Sequence, residues 1–199
     1  MRKRATILEA ARAVFLSNGY AGASMDEIAA RAAVSKPTVY KNFGDKQGLF
    51  TAIITGDISE AEQRSQTFVE ALSRSEDIEV SLRKFARRHI TVVTQPHLIK
   101  IRRLVIAEAD RFPELARTWY EAAPGRAHAN LAELFREIAE QGRLNVPDPM
   151  LAAEHFNWLV LSIPLNKAMF LGSHTHFSRT TLHRYADEAV RIFLAAYGA

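Results

Sequence analysis

Apolar residues recur at helical spacing along nearly the whole chain, and no segment sustains the alternation of a half-buried strand. Ile7, Leu8, Ala11, Val14 and Phe15 form one stripe that stops near Asn18-Gly19. "SMDE" then opens a second helix, with Ser24 as N-cap and Glu27 three residues on, and Ile28 and Ala29 facing inward. It ends near Ala32-Ala33. Ser35 caps a third, very short helix with Pro37 in its first turn, where a missing N–H costs little. Val39 and Phe43 are its inward face, and Gly44 stops it. Asp45 opens a long fourth helix, about 46–72, through Leu49, Phe50, Ile53 and Ile54.

After Ser75 longer helices follow, over about 76–95, 97–111, from Pro113 to Trp119, and on to Gly142 past a break or kink at Pro124-Gly125. "NVPDP" reads as a loop. The helix over 149–170 is apolar nearly all round. "GSHTHFS" is another loop, and Ser178 caps a last helix through Leu182, Tyr185, Ala189, Phe193 and Tyr197. The expected fold is all-α. Residues 1–50 form a three-helix helix-turn-helix domain, joined by the fourth helix to a ligand-binding and dimerisation bundle over 51–199.

Composition narrows the chemistry. With 48% hydrophobic and 24% charged residues, 199 residues suffice for a buried core. Cysteine is absent, which removes disulfides and Cys-based zinc or redox sites. The stretch "MRKRATILEAARAVF" lacks a signal-peptide core, and the apolar run "FNWLVLSIPL" is too short for a bilayer, so a cytoplasmic protein without membrane contact is expected. Charge is uneven. The first fifty residues hold eight Lys/Arg against Glu9, Asp26, Glu27 and Asp45, while the other 149 carry 18 of each sign. The whole net charge of +4 therefore lies in the first quarter. That suits a polyanion contact, or ordinary solvation of a small module.

Two short helices around the turn "AAVS" make a helix-turn-helix candidate, whose second helix enters the major groove N-terminus first. In "SKPTVYKNF", Lys36, Thr38, Tyr40 and Lys41 occupy the circumference left free by Val39 and Phe43. They offer cations and hydroxyls for phosphates and a flat ring for base edges. No nucleophile–base–acid spacing, Gly-rich phosphate loop or metal motif accompanies them, so no enzyme and no cofactor is expected. His174 and His176 lie in a loop without a carboxylate or Cys cluster and are not read as a metal site.

From Ile7 to Phe50, "ILEAARAVFLSNGY" and "SMDEIAARAAVSKPTVYKNFGDKQGLF" resemble the N-terminal domain of the TetR (tetracycline-repressor-like) transcriptional regulators. The resemblance implies an all-helical homodimeric repressor that binds a double-stranded DNA operator and is released by a small molecule held in the larger domain. It places Ser35 at the cap of the recognition helix and Lys36, Thr38, Tyr40 and Lys41 toward DNA. Lys46 matches a usual phosphate contact, and Tyr20 and Ser24 approach the backbone. Pro37 stands where Gly is frequent, Asn42 where His is common, Gln47 where an acid is usual, and Ala33 where Gly would accept a left-handed backbone. Further on, "RRLVIAEADRFPELARTWYE" and "GRLNVPDPMLAAEHF" are similar to a subgroup with an AefR-like C-terminal domain.

In the larger domain His89 is either a hydrogen-bonded core histidine or a ligand contact. Glu108 pairs with Arg102 or Arg103, or meets a cationic ligand. Phe112, Trp119 and Phe156 are core residues or line a cavity. His155, Trp158, Leu159 and Leu165, with Leu182, Tyr185, Ala189 and Phe193 of the last helix, suggest a subunit interface. A dimer would set two recognition helices about 34 Å apart.

Overall fold

The start and stop signals place most elements correctly. A computed structural model describes residues 2–56, 77–172 and 175–199. The helices are α1 (Arg2–Gly22), α2 (Met25–Arg31), α3 (Lys36–Phe43), α4 (helical over 46–56), α5 (Ile78–Val93), α6 (Pro96–Ala107), α7 (Pro113–Tyr120), α8 (Arg126–Glu140), α9 (Pro149–Leu171) and α10 (Arg179–Tyr197). The all-α expectation is met. An isolated antiparallel bridge joins Leu144 to Gly198. The expected course of the fourth helix to residue 72, and His174, lie outside the described residues.

One junction differs from the sequence reading, and the expected break at Pro124-Gly125 takes a specific form. Helix α1 does not stop at Asn18-Gly19: Gly19, at φ 72° and ψ 172°, kinks it, and the chain re-enters helix as far as Gly22. Glycine carries this conformation at no steric cost. At Pro124 the chain widens into one π-turn, Glu121–Gly125, between α7 and α8. A wide turn accommodates a residue that has no N–H to donate. Ala33 takes φ 52° in the turn between α2 and α3, the left-handed conformation the sequence raised as a possibility.

The described chain forms two compact units, residues 1–62 with 100–123, and residues 63–99 with 124–199. The core of the first comprises Ile7, Ala11, Val14 and Phe15 of α1, Ile28 of α2, Val39 of α3, Leu49, Phe50, Ile53 and Ile54 of α4, and Ile101, Val105 and Leu115. At its centre Phe15 stacks on Tyr20 at 5.6 Å, and Phe50 meets both edge-on at 5.0 and 5.2 Å. Each such pair adds about 0.5–1.5 kcal/mol beyond area burial.

In the second unit α5 and α9 both pack on α10, and α8 packs on α9. Phe135, Phe156 and Phe193, all fully buried, form its aromatic centre at 4.9–5.6 Å. Three of its helices start at side-chain caps: Asp77 accepts from Val80 N–H, Asp148 from Met150 and Leu151, and Ser178 from Thr181.

Candidate nucleic-acid interface

Helix α3 has only eight residues, too few to be stable alone. Its position comes from Val39, fully buried, and from half-buried Phe43, over whose ring the Arg4 guanidinium lies at 4.6 Å. Arg4 Nη1 also donates to the Asn42 carbonyl at 3.2 Å, near the end of α3. This clasp was missed in the sequence because its partners are 38 residues apart.

The N-terminal end is held differently from the expected cap. Ser35 has the extended backbone of an N-cap but makes no side-chain cap bond. Its hydroxyl pairs with Thr38 Oγ1 at 2.8 Å. Ser24 does cap α2, accepting from Glu27 N–H at 3.1 Å. Glu27 does not reach back to complete the box; its carboxylate accepts from Asn18 Nδ2 at 2.8 Å instead.

The outward face then sorts itself by partner. Tyr40 is 42% exposed, and Lys41 beside it is exposed. Lys36 Nζ sits 2.8 Å from Asp26, and this hydrogen bond raises its pKa above the ordinary lysine value. A phosphate reaching Lys36 must therefore compete with Asp26. Asn42 turns its Nδ2 back to the Thr38 carbonyl at 2.8 Å, so part of its hydrogen-bonding capacity is used within α3. Pro37 is exposed and Thr38 half-buried.

Two residues expected at the DNA backbone are occupied inside the fold. Tyr20 is only 3% exposed, its ring packed in the aromatic centre with Phe112 edge-on at 4.7 Å. Burial, with smaller contributions from Asp45 and Glu108, raises its phenol pKa. Lys46 Nζ donates to the carbonyls of Ala21 and Ala23 at 3.3 and 3.2 Å and lies 4.9 Å from the Tyr20 ring centre. Helix α1 ends there, and a cation is favoured beside carbonyls left unpaired at a helix C-terminus.

The residues offered for a ligand cavity fall in different units. In the first, Glu108 does not pair with Arg102 or Arg103: its carboxylate accepts from the Ala21 N–H at 3.2 Å. Phe112 belongs to the Tyr20 cluster, and Trp119 lies under the Arg102 guanidinium at 4.7 Å. Burial lowers Arg102 to about 10. In the second unit His89 Nε2 meets Asn157 Oδ1 at 2.9 Å and stacks on Phe85, while Phe156 is fully buried.

The interface candidates also divide. Leu165, Leu182, Ala189 and Phe193 lie in the second unit's own core, because the apolar stripe of α10 faces α5 and α9 of the same chain. Leu159 and Tyr185 are half-buried against it. His155 remains exposed and bonds the Tyr197 hydroxyl at 2.7 Å, and Trp158 is 47% exposed. Sequence reasoning missed the exposed apolar surface of Ile163, Phe170, Leu171 and Ile192.

Comparison with known proteins decides what the head is. Residues 7–53 match the model for bacterial regulatory proteins of the tetR family, and residues 80–199 match the AefR-like transcriptional repressor C-terminal domain. The chain belongs to the TetR family. A solved TetR-family transcriptional regulator from Mesorhizobium loti MAFF303099 is 43% identical with a TM-score of 0.92, covering 100% of this chain and 98% of that one. The flavonoid-responsive regulator FrrA is 29% identical with a TM-score of 0.79, over 99% of this chain and 97% of that one. The HTH-type transcriptional activator FasR of Mycolicibacterium smegmatis is 48% identical over 52 residues, 26% of this chain and 24% of that protein. The chain is thus a DNA-binding transcriptional regulator, as its TetR-type helix-turn-helix implies. No helix among the described residues is long and apolar enough to cross a membrane.

Proposed function

We propose that the protein is a homodimeric, ligand-responsive repressor of the cytoplasm. It binds a palindromic operator through α3 and is released by a small-molecule inducer. The observation that carries the reading is the two-sided construction of α3, with Val39 at zero exposure behind and Tyr40 and Lys41 open in front. Tyr40, Lys41 and Thr38 approach base edges or the adjoining backbone. Lys36 joins them by exchanging Asp26 for phosphate, and Ser24, Ser35, Pro37 and Asn42 shape the approach rather than anchor it. Tyr20 and Lys46 serve by holding the junction between α1 and α2.

The repressor sign is supported by the AefR-like repressor match over residues 80–199, the whole second half of the chain. The likeness to an activator is confined to a quarter of the chain. Ligand response is supported by the likeness to FrrA, described as flavonoid-responsive. Dimerisation through α9 and the outer side of α10 is supported by Trp158, Ile163, Phe170 and Ile192, apolar side chains left exposed on the single chain. A ligand would act only through a difference in affinity between the DNA-bound and released states.

Selection from random duplex DNA, followed by salt titration, tests the reading. The expected result is a palindromic consensus bound with an affinity that falls steeply as salt rises. Recovery of an asymmetric single half-site, or of no consensus, would sink it.

A further inference from the structure

On the second unit, α5 and α10 flank an open cleft of about 650 Å³. Its walls are strongly basic, and the cations fall into two groups. In one group, Arg87 grips Asp187 with two hydrogen bonds of 2.7 Å, and Arg83 lies 3.8 Å from the same carboxylate and 2.6 Å from Glu79. That pairing holds Asp187 below the ordinary carboxylate pKa. Glu188, also on the wall, is bonded by Arg191 at 2.8 Å. Both acids of the cleft are therefore already neutralised by arginines.

The other group lies at the first turns of α10, where Arg179, Thr180, His183 and Arg184 line the wall. Arg179 and Arg184 have no carboxylate partner among the described residues; Arg184 only lies 5.8 Å from the Tyr185 ring centre. They are set beside the positive end of a 19-residue helix. Five residues separate them, about 7.5 Å of helix rise. The cleft thus has an end engaged in ion pairs and an open end at the start of α10 where, among the described residues, two guanidiniums lack a carboxylate partner beside a hydroxyl and an imidazole. Guanidinium suits phosphate oxygens because it can donate two parallel hydrogen bonds to one group.

We infer that this open end is a binding site for a small molecule carrying a diphosphate, separate from the DNA-reading face. Arg179 and Arg184 each take one phosphate group, Thr180 donates its hydroxyl, and His183 borders the anion. The paired Arg83–Asp187–Arg87 set borders the site with its charge already engaged by internal pairs. By the helical repeat His183 and Asp187 face away from the side of α10 that carries Tyr185 and Ile192, whereas Arg184 lies between the two sides, its guanidinium near the Tyr185 ring. Arg179, Thr180 and His183 therefore stay open in a dimer formed through that side, and the site does not depend on the operator reading.

Isothermal titration of the full chain without DNA tests the site, using pyrophosphate and, separately, ADP, with sodium sulfate at matched ionic strength as control. The expected result is saturable binding at one site per chain for at least one probe, at least tenfold tighter than sulfate. Arg179→Glu with Arg184→Glu should weaken it at least tenfold while melting temperature and operator affinity are kept. Lys36→Ala with Lys41→Ala, on the head, should leave it intact. Tighter binding of ADP than of pyrophosphate would assign the site to a nucleotide, and equal binding to the diphosphate itself. Binding no tighter than sulfate would overturn the inference. So would equal binding by the Arg179/Arg184 variant, or loss only in the Lys36/Lys41 variant.

Discussion

The two compact units differ in how completely their polar groups are satisfied. In the first, polar side chains at the helix junctions have assigned partners. Lys46 holds two carbonyls, Glu108 holds the Ala21 N–H, and Glu27 holds Asn18. In the second, His128 Nε2 and Thr175 Oγ1 are shielded from solvent and have no hydrogen-bond partner among the described residues. Such a group costs about 1–3 kcal/mol relative to a satisfied one. The contrast teaches that the junctions of the reading head are fixed by internal partners, whereas the bundle, which pairs His89 with Asn157, leaves the buried His128 imidazole with unused capacity among the described residues. Preorganisation suits a surface that must meet base edges to within a hydrogen-bond length. Unused capacity suits a unit expected to receive something.

The largest effect should come from cutting the bundle's aromatic centre. Phe156→Ala removes a ring that touches Phe85, Phe135 and Phe193, and should cost about 3–5 kcal/mol of stability by denaturant titration. A loss below 1 kcal/mol would mean that the second unit is loosely packed, and the comparison would fail on that side. Next is Tyr40→Ala on the head. It should leave stability unchanged and weaken specific DNA binding by about 1–3 kcal/mol. Equal weakening on all sequences would make Tyr40 a backbone contact.

Glu108→Ala probes whether the head depends on its fixed partners. It leaves the Ala21 N–H without its carboxylate and should lower stability by about 1 kcal/mol. Unchanged stability would mean that water replaces the carboxylate freely. Lys46→Ala should give a smaller loss, about 0.5–1 kcal/mol, with a modest drop in DNA affinity on every sequence.

The smallest effect is expected at His128. Burial lowers its pKa, with Glu154 opposing, so the folded chain holds this imidazole neutral where the unfolded chain protonates it. The unfolded state then binds more protons once pH falls through about 6.5, and stability contributed above that pH is lost on the acid side. His128→Phe should therefore reduce the drop in melting temperature between about pH 7.5 and 5.5. An unchanged drop would move the titration to another histidine.

What could be read in the sequence was local. The i, i+4 pair Val39 and Phe43 and the capping serine Ser24 act within one turn of helix, so their spacing alone announces them. The head's contacts were less legible. Glu108 and Ala21 lie 87 residues apart, and periodicity cannot say that a half-exposed acid meets a backbone N–H rather than an arginine five or six positions away. Tyr20 misled for a related reason: an aromatic that follows a glycine fits a DNA backbone or a core equally well until Phe15, Phe50 and Phe112 are placed around it. For α10 the stripe of Leu182, Ala189 and Phe193 was visible, but whether it faced a partner or the same chain depended on α5 and α9.

The central claim is that α3 reads DNA with a face that the fold does not need. Binding-site selection run in parallel on the native chain and on Tyr40→Ala, with melting temperatures for both, tests it most directly. The account predicts one palindromic consensus for the native chain, loss of that preference in the variant, and matching melting temperatures. A variant that keeps the consensus, or loses it only by unfolding, would contradict the account.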